Sequence, residues 1–351
     1  MGSATGITGR WENRHGSDWE SSDDDEVSTP EPKQQRNSEA GGATRTALIA
    51  TWNCNSAAPA PPSENVDKLK LTLARLGTRP DALALQETLF KDEARLQYAM
   101  RATREYTWLC PPGKRRPCCE TNERVDEKSF RGRGSWLLIL KGGPLDGGEL
   151  LDLQDWDDQH RIVALKTAHG LVVGAYLPAG ASVKAPAQAA HDCARYRRDF
   201  WTFLAAHSHE LLAVVGDLQL RFSHIDSMPA ADPRCDFSSQ LERLRCAGLK
   251  DAWRATHPAT VKFTRDTHRD LGDGWHRVDH VLVPEWRSAT AEICDWLTPN
   301  EAGRSSDHVP VVLTVSLDAK AEPDDDEVEF SHVRTADERN AEGFANAEFV
   351  G

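Results

Sequence analysis

From residue 44 to residue 316 the chain runs in short apolar stretches, each closed by a polar residue or a glycine. Apolar runs of roughly four to eight residues between turn signals predict strands. They fall at 47–52, 82–85, 136–140, 161–166, 171–177, 211–215, 278–283 and 309–315. Two segments repeat at helical spacing instead. Val66, Leu69, Leu73 and Leu76 share one face of a helix that Ser63 caps and Gly77 stops. Tyr196, Phe200, Phe203 and Leu204 share a face of a second helix. Short strands outnumber helices, and neighbours such as 161–166 and 171–177 are close enough to pair as hairpins. The expected fold is α/β: a layered sandwich with mixed sheets, not a single parallel sheet.

Charge divides the chain into three parts. The formal net charge is −13. Residues 1–43 carry 4 basic and 9 acidic side chains, and residues 317–351 carry 3 and 11. The excess therefore falls wholly in the two ends, and residues 44–316 balance at 35 of each. Both ends are polar and poor in aliphatics, which predicts disordered acidic tails at 1–43 and 317–351 around one folded domain at 44–316. The acidic balance thus says little about the domain's substrate. The eight cysteines are scattered, and no apolar leader or membrane-length run is present. An intracellular location, nucleus or cytoplasm, is expected, with no membrane partner and a monomeric state. Cys110, Cys118 and Cys119 form no C-x-x-C pair and have no fourth ligand nearby, which argues against zinc.

Candidate chemistry sits at the strand ends, in five polar marks. They are Thr51-Trp52-Asn53-Cys54-Asn55, Leu85-Gln86-Glu87-Thr88, Gly216-Asp217-Leu218-Gln219, Arg277-Val278-Asp279-His280 and Ser305-Ser306-Asp307-His308. Glu87 follows a strand expected to be buried on both faces, where a carboxylate is costly unless paired or metal-bound. Mg²⁺ takes one or two protein carboxylates and fills its other positions with water and phosphate oxygen. Glu87 and Asp307 are the natural pair, with Mn²⁺ as a substitute ion. Asp217 has the chemistry to orient or deprotonate a water. Gln219 and Asn53 have amides to donate to a phosphoryl oxygen. Asp279 and His308 make a carboxylate–imidazole couple able to stabilise a pentacovalent phosphorane. Each mark alone reads more simply as a solvated strand end or a cap. Their joint occurrence is what gives them weight.

Together these motifs resemble the endonuclease/exonuclease/phosphatase superfamily, which includes exonuclease III, DNase I-like nucleases and retroelement endonucleases. The resemblance runs over roughly 46–316. It rests on Trp52-Asn53, the intact Leu85–Thr88, Tyr176-Leu177-Pro178, Leu249–Arg254 with His257-Pro258, and the intact Ser306-Asp307-His308. It implies a DNase I-like four-layer α/β sandwich of two mixed β-sheets flanked by helices. It also implies Glu87 as principal metal ligand supported by Asn53 and Asn55, with Asp307 supporting the metal or the leaving group. By the same resemblance Asp217 activates water, His308 oriented by Asp279 stabilises the phosphorane, and Tyr176 contacts phosphate. Three positions depart from the family pattern: Gln219 in place of Asn, Ala179 in place of an amide, and His280 after Asp279 in place of Tyr.

The basic clusters Lys114-Arg115-Arg116, Arg131 with Arg133, and Arg195 with Arg197-Arg198 flank the expected site. Arg131, Arg133 and Arg277 are expected to contact substrate, since phosphodiesters are gripped through such charges whatever their sequence. The segment 261–277 is short and polar, with Phe263 and Trp275 as its aromatics. That suits a nicking enzyme of retroelement type better than a dedicated abasic pocket. The expected activity is Mg-dependent hydrolysis of DNA, possible also on RNA, by an endonuclease of retroelement-like or exonuclease III-like type. Two alternatives are a phosphoesterase for inositol phosphates or sphingomyelin, and a weakened member that binds nucleic acid without turnover.

Overall fold

In a computed structural model of the chain the apolar stretches become two six-stranded sheets. It describes residues 44–54, 69–70, 72–74, 76–88, 93–110, 135–153, 156–157, 161–178, 187–228, 237–266, 275–294 and 306–318. The first sheet contains β1 (Thr46–Asn53), β2 (Ala82–Gln86), β3 (Tyr106–Leu109), β4 (Trp136–Leu140), β14 (Ala289–Ile293) and β15 (Val311–Ser316), in the order β14-β15-β1-β2-β4-β3. The second contains β5 (Glu149–Leu150), β6 (Ile162–Thr167), β7 (Gly170–Tyr176), β8 (Leu211–Asp217), β10 (Leu249–Asp251) and β13 (Asp279–Pro284), in the order β10-β13-β8-β7-β6-β5. A small third sheet joins β9 (Ser227–Met228), β11 (Arg265–Asp266) and β12 (Trp275–His276). In the first sheet β1 and β2 run parallel, as do β7 and β8 in the second, while the other pairs are antiparallel. Both large sheets are therefore mixed, as the pattern of short strands predicts.

Period-two alternation sorts the side chains into layers. In β1, Ala47 and Ile49 face the second sheet while Ala50 and Trp52 face away from it. In β2, Ala82 and Ala84 face inward and Leu83 and Leu85 outward. The inter-sheet core is completed by Val163, Leu165, Val172, Val215, Val281 and Leu313. The outer face of the second sheet is covered by the helix Ala187–Ala206 through Tyr196, Phe200 and Leu204. The outer face of the first sheet is covered by Leu96 and Ala99 of the helix Glu93–Ala102, with Leu69. The result is helix, sheet, sheet, helix: four layers.

The first and last strands are partners, with Thr46 opposite Ser316. Of the expected helix over 63–76, positions 69–70 and 72–74 are helical. Gly77 has a φ of +68°, consistent with a glycine stop. Among the described residues no helix is long and apolar enough to cross a membrane.

Candidate active site

Three adjacent strands of the second sheet end in one row. Asp217 closes β8 between Tyr176 of β7 and Asp279 of β13, each its direct cross-strand partner. Gly216 makes the row possible. Its φ is +155°, and a Cβ there would lie 1.8 Å from the Ala175 carbonyl oxygen, so no other residue fits. From the first sheet, Asn53 ends β1 opposite Gln86 of β2, and Glu87 follows at once. Among the described residues, Glu87 and Gln219 are the non-glycine residues with positive φ, at 51° and 50°. Backbone of that kind costs on the order of 1–3 kcal/mol and persists where surrounding contacts enforce it. Here both cases fall in the same site.

Side-chain hydrogen bonds join the two sheets into one chain of contacts. The Tyr176 hydroxyl donates to Glu87 Oε1 at 2.6 Å. Asn53 Nδ2 donates to Glu87 Oε1 at 3.3 Å and to Asp217 Oδ2 at 2.9 Å. Gln219 donates twice to Asp217, from its backbone nitrogen at 3.1 Å and from Nε2 at 2.8 Å. Asp279 Oδ2 meets His308 Nδ1 at 2.7 Å. The turn carrying His308 is stapled to β1: Ser306 Oγ donates to the Asn53 carbonyl at 2.6 Å and accepts from the His308 nitrogen at 3.0 Å. Thr264 holds the opposite side, its hydroxyl accepting from the backbone nitrogens of Val278 and Asp279.

This geometry shifts two pKa values. Burial, then the Asp279 charge, push Asp217 up to about 6, against the pull of His308 and the amides of Asn53 and Gln219. Burial alone would lower His308, but the charge and hydrogen bond of Asp279, with Asp217 and Asp307 behind them, push it up to about 9. Ligand atoms of Asp217, Asp279 and His308 all lie within 4.8 Å of one another. The buried Asp279 Oδ1 has no hydrogen-bond partner. Crowded carboxylates and an amide make a mainly hard-donor rim, which fits a cation such as Mg²⁺ or Mn²⁺.

A pH dependence follows for the metal-free protein. Both folded-state values lie above the ordinary ones of 3.8 and 6.5. Each group therefore favours the fold while protonated, and that contribution is lost as pH rises through the folded value. In EDTA, Tm should fall between the ordinary and the folded value of each group, from about 3.8 to about 6 for Asp217 and from about 6.5 to about 9 for His308. Thermal melts from pH 4.5 to 9.5 check this, and a flat profile refutes it.

The structure places the expected residues unequally. Asp217, Asp279, His308, Tyr176, Glu87, Asn53 and Gln219 come together. Gln219 turns its amide onto Asp217, where a phosphoryl oxygen was the expected acceptor. Asp307 pairs with Arg265, whose Nε donates to Oδ2 at 3.2 Å. Asn55, Arg131, Arg133, Ala179 and the cluster 114–116 lie outside the described residues. Arg277 is a correction. It is 1% exposed, and its guanidinium is consumed by Asp226 on two bonds and Asp251 on a third, so it has no reach to substrate. Arg197 is likewise a clamp, donating to the carbonyls of Pro178 and Gln219. Thr264 and Arg265 escaped the sequence reading. No local signal marked them, since β11 and β12 pair across the eight-residue connection 267–274.

Comparison with known proteins agrees with this fold. The model of the Endonuclease/Exonuclease/phosphatase family matches residues 50–308. No curated protein matches the chain. Among solved structures, the 3′ phosphatase NExo from Neisseria bound to product DNA hairpin is similar at a TM-score of 0.57 and 19% identity, over 78% of this chain and 100% of that one. The 3′-5′ exonuclease NExo from Neisseria meningitidis is similar at 0.54 and 20% identity, over 76% and 98%. An AP endonuclease from Archaeoglobus fulgidus is similar at 0.53 and 20%, over 76% and 98%. At these identities the likeness shows a shared fold.

Proposed function

The chain belongs to the endonuclease/exonuclease/phosphatase family, and from that premise we propose a divalent-metal-dependent phosphodiesterase that cuts DNA, with its catalytic unit at 44–316. The observation that carries this reading is the run of contacts from Tyr176 through Glu87 and Asn53 to Asp217, beside the Asp279–His308 couple. Asp217 takes the proton of the attacking water. His308, held by Asp279 at Nδ1, presents Nε2 to the charge that develops on the phosphorane. The Tyr176 hydroxyl and the Asn53 amide fix the Glu87 carboxylate. Glu87 and Asn53, with Asn55 and Asp307 as further candidates, would hold a Mg²⁺ ion that supplies charge neutralisation at the phosphate and acidifies bound water. Arg131 and Arg133 remain candidates for backbone contacts.

DNA is favoured as substrate because the NExo structure holds a product DNA hairpin. RNA is the other polymer that suits this chemistry. Within DNA, the rings of Phe263 and Trp275 lie 6.3 Å apart and pack on each other, next to β11, whose Arg265 is bridged to His308. The test is a cleavage panel: supercoiled plasmid, abasic duplex, 3′-phosphate-blocked duplex and inositol phosphates, each with Mg²⁺, Mn²⁺ or EDTA. Metal-dependent cutting of at least one DNA substrate is expected. Turnover confined to inositol phosphates, or DNA binding with no turnover, would overturn it. Incision of the abasic duplex alone would select the exonuclease III-like type over the retroelement-like one.

A further inference from the structure

Arg265 sits directly across an antiparallel bridge from His308. Residues opposed in this way carry their side chains to the same face, roughly 5 Å apart at Cβ. Both side chains therefore leave the backbone on the same face at the edge of the site. Asp307 lies between them. It accepts from Arg265 Nε at 3.2 Å, and its other oxygen is 4.0 Å from His308 Nε2. This engages Nε, and among the described residues no protein group takes Nη1 or Nη2. The side chain is 30% exposed, so those two amino groups are within reach of a ligand. An arginine present only to offset the neighbouring acids would spend its donors on them; this one holds a single carboxylate with a single nitrogen. A guanidinium fork matches two phosphate oxygens, and a carboxylate at Nε sets its direction.

We propose that Arg265, aimed by Asp307, joins His308 in a two-cation cradle for the non-bridging oxygens of the phosphate under attack. The proposal rests on the phosphodiesterase reading, so its test includes a readout that needs no turnover. Binding of inorganic phosphate to the full chain is measured by calorimetry, alongside cleavage of whichever DNA the panel selects. Arg265→Ala should weaken phosphate binding and lower kcat/KM, each by about 10- to 100-fold. Free guanidinium ion should restore part of the lost activity, which mere loss of packing would not allow. Arg265→Lys should recover less than half of the loss on a logarithmic scale, because a point charge lacks the fork. Unchanged phosphate binding in Arg265→Ala overturns the cradle. So does a loss of activity that tracks a fall in Tm and resists guanidinium. If the wild-type chain cuts nothing, the phosphodiesterase reading fails, while the phosphate titration still decides the cradle.

Discussion

Exchange of Asp217 for Asn should lower kcat by about 10²–10⁴ while raising the melting temperature of the metal-free protein. The two effects have one cause. Asp217 is fully buried beside Asp279, and both burial and that neighbouring charge disfavour its ionised form. A neutral amide of the same shape removes this strain, so the fold gains stability above pH 6 and the first step of the pH melt disappears. The same change removes the atom that accepts a proton from water. It also places an amino group where Asn53 and Gln219 already aim donors, so one of their contacts must turn away. Melts in EDTA and single-turnover cleavage in Mg²⁺ measure the pair of effects. A variant that loses activity and stability together would mark Asp217 as a structural residue, and one that cuts at the wild-type rate would remove it from the mechanism. Asp279→Asn reaches a similar cleavage defect by another route. It weakens the contact at His308 Nδ1, now 2.7 Å, and lets the imidazole fall from about 9 toward its ordinary range.

How much of this was legible depended on whether the signal was local. Glu87 was legible because an acid directly follows a strand with every residue buried. The long helix was legible from its aromatic face, and the hairpin of β6 and β7 from two adjacent apolar runs. The strand β14 was not, because its Ala-Thr-Ala-Glu-Ile pattern is that of a half-exposed edge with little apolar mass. The need for glycine at 216 was not legible, because it comes from a carbonyl on β7, more than 40 residues away in sequence, which no local pattern records. Arg277 was misread for the same reason. Beside an Asp279 at a strand end it looks like a phosphate contact, and the acids that bury it lie 51 and 26 residues distant. Arg265 went unnoticed because its meaning comes from Asp307, 42 positions away.

Replacing Arg277 by Met should cost about 3–5 kcal/mol, or roughly 10 °C in Tm, and should do so without any substrate present. The guanidinium spans Asp226, at 2.9 and 3.1 Å, and Asp251, at 2.7 Å, and lies 5.1 Å from the Trp253 ring centroid. Methionine fills much of the volume but leaves two buried acids short of charge. Asp226 keeps Arg254 and the backbone nitrogens of Phe222 and Ser223. Asp251, which burial would raise but the Arg277 charge holds well below the usual carboxylate range, keeps His280 and the Arg254 backbone nitrogen. The sign is fixed by the depressed value: stability from Asp251 is present above its ordinary pKa and is lost on acidification, so the variant should lose its acid-side transition as well as its Tm. Adding Asp251→Asn to Arg277→Met should recover part of the loss, since an unpaired buried charge costs more than an absent one. A substrate-contacting arginine would behave in the opposite way, raising KM at unchanged Tm. The damage should still reach catalysis at a distance. His280, held against Asp251 at 2.8 Å, donates from Nε2 to the Leu220 carbonyl at 3.0 Å, and Leu220 follows the left-handed Gln219 that holds Asp217. The buried ion cluster is thus the foundation on which the proposed base is aimed, and kcat in Arg277→Met should fall even at temperatures where the variant remains folded.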